Sequence, residues 1–224
     1  MSVRLLPILF KAEMVRAILA GQKTVTRRVI KPQPEFGVGR YAQDGAPGEI
    51  DWVLLDKDGD AIDSQLRCPY GKPGDELYVR ETARAEELKC GQDGVRYAAD
   101  DAFVPIENTR QAGDDWLKMH NYAGRKGAWV PSILTPRWAS RIRLTVTEVR
   151  VERVQDISAE DAFAEGVDTY REGAPTGAFG EYRVTPKRAF EQLWRSINDA
   201  SKGCAWDLNP WVWCVRFERK DGAT

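Results

Sequence analysis

The spacing of apolar residues changes several times along the chain, and each change marks a predicted element. Residues 4 to 9 form a short apolar run that reads as a buried strand. "KAEMVRAILA", residues 11–20, places Met14, Val15, Ile18 and Leu19 on one helical stripe, and Gly21 supplies a stop. "TVTRRVI" follows as a strand of β-branched residues. Two prolines in "KPQPEFG" then break regular pairing. "DWVLLDKDGDAIDSQL" predicts a hairpin turning at Asp58-Gly59. "YGKPGDELYVRETA" is a turn leading into a strand with Leu77 and Val79 on one face. In "PRWASRIRLTVTEVRVERV" Ile142, Leu144 and Val146 share one parity, and Val149 and Val151 the other. That slip predicts a bulge or break near Thr147.

Two helices and a strand close the chain. Ser158 is a suitable N-cap for "DISAEDAFAEG", with Asp161 three residues on and Gly166 as terminator. "TPKRAFEQLWRSIND" carries the clearest helical signal. Thr185 caps it, Pro186 stands in its first turn, and Phe190, Leu193, Trp194 and Ile197 share one face. In "PWVWCVRFER", Trp211, Trp213, Val215 and Phe217 alternate as in a strand. The polar stretches 32–67, 84–128 and 168–184 read as insertions into a single domain spanning residues 1–224. Strands outnumber helices, and the connections are too irregular for repeated βαβ units. The expected architecture is α+β: a compact, mostly antiparallel β-barrel with flanking helices and polar insertions.

Charge narrows the partners. The 33 basic and 34 acidic residues leave a net charge of −1, so affinity for nucleic acid requires a local patch. The four cysteines form no C-x-x-C pair and are joined by one histidine, His120, which argues against zinc. Asp56, Asp58 and Asp60 suggest a calcium loop, but the glycine is misplaced and Arg67 stands where the closing glutamate belongs. Buried-thiol context around Cys214 and the absence of a membrane-length apolar run lead to the expectation of a cytoplasmic, reducing location without membrane association.

The candidate chemistry starts at "GQKTVTRR", residues 21–28. Lys23, Thr24, Thr26 and Arg28 form either a solvated strand face, a phosphate grip, or a set that polarises a carbonyl. In a regular strand Lys23 and Thr26 point to opposite faces, so convergence requires a turn or bulge near residues 23 to 25. Glu165 ends its helix, where a negative charge opposes the helix dipole. It is either a tolerated surface residue or a carboxylate that serves a lysine or moves a proton. Trp194, Trp211 and Trp213 fit the core pattern. Trp116, Trp129 and Trp138 lie beside Arg125, Lys126, Arg137 and Arg141, and either stack on unpaired bases or seal the insertions. Arg80, at the end of "ELYVR", joins Thr24, Arg28, Trp138 and Arg141 in the candidate substrate-binding set.

"ILAGQKTVTRRV" resembles the signature of the ASCH domain, a PUA-like family whose pattern runs G-x-K-x-x-E-x-R. Gly21, Lys23 and Arg28 match it, and Thr26 replaces the glutamate. "YGKPGDELYVRET", "PRWASRIRLTVTEV", "VQDISAEDAFAEGV" and "NPWVWCVRFER" are similar to blocks of larger ASCH proteins from phage and prophage genomes. The threonine resembles the G-x-K-T-x-T-x-R motif of bacterial N4-acetylcytidine amidohydrolases, which are about half this length. That resemblance implies a PUA-like barrel and a catalytic set at Lys23, Thr26 and Glu165, acting on an acylated cytidine with no metal or cofactor. The alternatives it leaves are a non-catalytic module for single-stranded RNA or a modified nucleoside, and a ribonuclease. His120 lies in an insertion, which weakens the last.

Overall fold

Among the described residues the helices and strands follow in the order β1 (Leu5–Leu9), α1 (Ala12–Leu19), β2 (Val25–Val29), β3 (Arg40–Asp44), β4 (Asp51–Leu55), β5 (Ala61–Leu66), β6 (Glu76–Arg80), β7 (Ala83–Glu87), β8 (Asp93–Tyr97), β9 (Phe103–Pro105), α2 (Arg110–His120), β10 (Arg143–Arg153), α3 (Ala159–Ala164), β11 (Tyr170–Arg171), β12 (Tyr182–Arg183), α4 (Pro186–Ile197) and β13 (Trp211–Arg219). The computed structural model describes residues 3–33, 40–44, 51–55, 61–167, 170–171, 182–198 and 203–220. Two compact units interleave in sequence: residues 1–21, 74–145 and 218–224 make one, and residues 22–73 and 146–217 the other.

In the first unit β1 pairs in parallel with β6, with Leu5 opposite Glu76 and Leu9 opposite Arg80. The start of β10 pairs antiparallel with the other edge of β6. Helix α1 buries Val15, Ala17 and Ile18 and ends where Gly21 turns to a φ of 72°. Strands β7, β8 and β9 form a separate antiparallel sheet. One face of it, Ala83, Ala85, Val95 and Tyr97, packs with Trp116 and Met119 of α2. Thr109 caps α2 by accepting a hydrogen bond from the Ala112 amide. Residues 84–128 carry most of this sheet and α2, and two of the four core positions on its strands are alanines, Ala83 and Ala85, which give little hydrophobic signal.

In the second unit β2 pairs antiparallel with β13 over Val25–Val29. Residues Trp211 to Val215 of β13 are all buried, so this strand is covered on both faces rather than on alternate residues. Helix α4 starts at Thr185, whose hydroxyl accepts from the Arg188 amide, and buries Phe190 and Trp194. These side chains pack with Val154, Ile157, Ala162, Trp206 and Val212. Strands β3, β4 and β5 form a second antiparallel sheet. Strands β4 and β5 flank the predicted hairpin turn, while the Asp58-Gly59 turn, with Asp56 and Asp60, lies outside the described residues, as does most of the 168–184 loop.

The class is mixed α+β, but the barrel is not closed. Among the described residues β1 has one strand neighbour, β6, to which it is parallel, and β2 has one strand neighbour, β13. Alternation specifies which face a side chain occupies; it does not specify the partner strand, and the closure expected from sequence fails on that point. β10 is one uninterrupted strand. Leu144 and Val146 are buried, Thr147 is exposed and Val149 is buried again, so the phase slips without a break. No described helix is long and apolar enough to cross a membrane. Cys68, Cys90, Cys204 and Cys214 form no disulfide.

Candidate active site

Helix α3 is short and sharply bounded. Ser158 accepts from the Asp161 amide at one end, and Gly166 takes a φ of 78° at the other. Its last residues meet the entry to β2: Lys23 forms an antiparallel bridge with Glu165, and the Thr24 amide donates to the Ala164 carbonyl at 2.8 Å. This pairing lies immediately before β2 begins.

Lys23 is 2 % exposed and Glu165 4 %. The Lys23 ammonium donates to Glu165 Oε2 at 2.6 Å, to the Glu165 carbonyl at 2.9 Å and to the Val25 carbonyl at 2.8 Å. An ammonium has three protons to donate, and each has an acceptor here. The cation sits on the carbonyl end of α3, where the helix dipole favours positive charge. That removes the objection to a glutamate at a helix C-terminus: the carboxylate and the dipole share one counter-ion. Burial lowers the Lys23 pKa, and the Glu165 carboxylate opposes that shift.

Arg27 completes the set. Its side chain is fully buried and faces three carboxylates: Glu152 Oε1 at 2.7 Å from Nε, Asp161 Oδ2 at 2.8 Å and Glu165 Oε1 at 3.4 Å. Asp161 also accepts from Arg150 at 2.6 Å and Arg216 at 2.7 Å. Burial alone would raise the Asp161 pKa, but hydrogen bonds from Arg150 and Arg27 outweigh it and lower the value. Cys214 lies 3.3 Å from Arg150, and burial pushes its thiol up to about 12. Ligand atoms of Glu152, Asp161 and Cys214 lie within 4.8 Å of one another, a spacing that suits a metal ion. A cation there would have to displace arginines from both carboxylates, so the donor set fits an ion-pair network better.

Thr26 is buried in β2 opposite Val215, on the strand face opposite Arg27. Thr24 is half-buried, and its carbonyl accepts from the Phe217 amide at 2.8 Å. Burial lowers the Arg28 pKa, with Tyr70 and Glu165 opposing. Contacts therefore join Lys23 directly to Glu165, while Thr26 follows Lys23 by three residues on the same segment.

The other predicted binding residues belong to the first unit, where each has a different role. Arg141 makes paired hydrogen bonds to Glu81 at 2.9 and 3.0 Å and to Asp100 at 2.8 and 2.8 Å. It also stacks over Tyr97 at 4.1 Å. Arg80 donates to the carbonyls of Thr135, at 2.8 Å, and Ile133. Trp138 packs against the α2 core, and Trp116 donates its indole N–H to the Gly94 carbonyl at 2.8 Å. His120 stacks on Trp116 at 4.8 Å. Of the three tryptophans flagged for base stacking, Trp129 alone is exposed, at 42 %.

Sequence reasoning missed Arg27, Glu152 and Asp161 as a cluster. The available signal was the run Glu148, Arg150, Glu152 alternating with Val149 and Val151, matched by Arg216 on β13. Comparison with protein-family models, curated proteins and solved structures returned no match.

Proposed function

We propose that this chain is an ASCH-type, PUA-like hydrolase that removes the acyl group from an N4-acylated cytidine or a related modified nucleoside. The observation that carries this reading is the buried Lys23–Glu165 pair, 2.6 Å apart and seated three residues before Thr26. The resemblance at "GQKTVTRR" supports Lys23 and Thr26, and the glutamate of the resembling amidohydrolases falls on Glu165.

The chemistry follows from the pair. Burial disfavours the charged form of Lys23. Loss of one Nζ proton to solvent gives the Lys23 amine, which the Glu165 carboxylate orients. The Lys23 amine then accepts the Thr26 hydroxyl proton as Thr26 Oγ adds to the acyl carbonyl. Lys23 returns a proton to the exocyclic nitrogen as the C–N bond breaks, releasing cytidine and leaving an acyl-threonine ester. Water, deprotonated by the same pair, hydrolyses the ester to the carboxylic acid and restores Thr26. The net reaction consumes one water per acyl group. In a second version, Glu165 activates water directly while Lys23 and Thr26 stabilise the oxyanion.

Saturation of all three Lys23 donors also fits a structural lysine in a module that binds RNA or a modified base without turning it over. A substrate panel separates the readings: N4-acetylcytidine, longer N4-acylcytidines and labelled single-stranded RNA, followed by product chromatography. The hydrolase reading requires release of cytidine and carboxylate from at least one acylated nucleoside. Binding without turnover assigns the module; chain cleavage of RNA assigns a nuclease.

A further inference from the structure

The β7–β9 sheet buries one face against α2, and its other face carries an unusual row. Arg84 stands directly opposite Arg96, and Arg96 directly opposite Phe103. Like charges in direct cross-strand register destabilise a sheet. Here Glu86 bridges them, accepting from both Arg84 and Arg96. Each arginine also lies on an aromatic ring: Arg84 is 4.9 Å from the centre of Trp129, and Arg96 is 5.5 Å from that of Phe103. The Phe103 ring lies across Gly94, where a Cβ would fall 2.2 Å from it, so glycine is what lets the ring lie flat on the sheet.

Trp129 is fixed in place rather than loose. Val130 bridges to Ala83 through two backbone hydrogen bonds, and Gly127 packs beside the Ala85 carbonyl. The segment carrying exposed Arg125 and Lys126 thus runs along the edge of β7. Arg84 and Arg96 lie on these two exposed or half-exposed rings, and the exposed cations Arg125 and Lys126 precede Trp129 by four and three residues. Glu86 and Asp101, 3.5 Å from Arg96, are the opposing carboxylates in contact with the arginines.

We propose that this face binds single-stranded nucleic acid. Trp129 and Phe103 stack on unpaired bases, and the four cations take phosphates. A duplex hides its base faces from such rings, which selects the single strand. This surface is independent of the Lys23 reading and stands whether or not the chain is a hydrolase.

The test is fluorescence anisotropy with labelled 12-nucleotide oligouridylate and oligothymidylate across a salt series, with a hairpin duplex and polyglutamate as competitors. Affinity should fall linearly in log–log form as salt rises. Trp129→Ala should weaken binding about tenfold, and Trp129→Phe should retain most of it. Arg84→Ala with Arg96→Ala should weaken binding and reduce the salt slope by about two. Glu86→Gln should tighten binding, because it releases both arginines. Thermal denaturation checks that each variant is folded. The proposal fails if the wild type does not bind at low salt, or if folded Trp129→Ala and the double arginine variant bind like wild type. It fails equally if the duplex or polyglutamate displaces the oligonucleotide as well as unlabelled single strand does, the latter outcome marking an acidic protein as the partner.

Discussion

Each unit buries a carboxylate against an arginine, and the two arrangements differ in what they leave free to move. In the first unit Arg141 lies between Glu81 and Asp100 with paired hydrogen bonds to both. The Glu81 carbonyl also accepts from the Thr135 hydroxyl at 2.9 Å, and the Tyr97 hydroxyl donates to the Ala139 carbonyl at 2.8 Å. The one cation is a guanidinium, which does not give up its proton in a protein. This is a clamp on loops. In the second unit Glu165 is shared between an arginine and a lysine. Lysine changes its charge readily when buried, and burial lowers the pKa of this one. Burial of charge therefore does not mark a reactive site by itself; a buried cation able to lose its proton is the distinguishing feature.

The comparison breaks most visibly on stability. Arg141→Met leaves Glu81 buried without its partner, and should cost roughly 3–5 kcal/mol in urea denaturation. Arg27→Met should cost less, about 1–3 kcal/mol. Its partners keep other cations: Asp161 retains Arg150 and Arg216, and Glu165 retains Lys23. A larger loss for Arg27→Met than for Arg141→Met would invert the assignment of clamp and shared network.

Acid titration sharpens the same contrast through its sign. Asp161 has a folded-state pKa below its ordinary value of 3.8. The unfolded chain therefore takes up its proton first. The stability contributed by Asp161 is complete above the unfolded pKa and is lost as pH falls through the lower folded value. Glu81 has the opposite sign. Burial raises its pKa from 4.5 even with Arg141 present, so the folded clamp binds the proton first and gains stability as pH falls from the folded towards the unfolded pKa. Asp161→Asn should lower stability at neutral pH and flatten its decline below about pH 4. Glu81→Gln should leave that acid limb in place. Denaturation curves at closely spaced pH values test both.

The smallest effect concerns how α3 presents Glu165. Ser158→Ala removes the hydroxyl that accepts from the Asp161 amide at 3.0 Å, and should cost about 1 kcal/mol in thermal denaturation.

What was legible in the sequence was local. Ser158 and Gly166 bound α3, and Thr185 with Pro186 opens α4, because caps act through residues within one turn. The phase slip at Thr147 is real for the same reason. Helix α2 was hidden. Its buried residues, Ala112, Trp116 and Met119, keep helical spacing but are few, and Gly113 interrupts them. The parallel β1–β6 pairing joins segments some seventy residues apart, and no alternation encodes it. At the site, Lys23 and Glu165 each carried a signal of their own: an odd cation at a strand start and an acid against its helix dipole. Arg27 carried none, because its meaning lies in Glu152 and Asp161, which reach it from β10 and α3.

The central claim is that the Lys23–Glu165 pair moves protons for Thr26. Its most direct test is the steady-state hydrolysis of N4-acetylcytidine by the wild type, Lys23→Ala, Thr26→Val and Glu165→Gln, each verified as folded. The proposed set predicts that every single variant loses at least about a hundredfold in kcat/KM, with losses that do not add in combination. Wild-type turnover that survives in folded Lys23→Ala would contradict it.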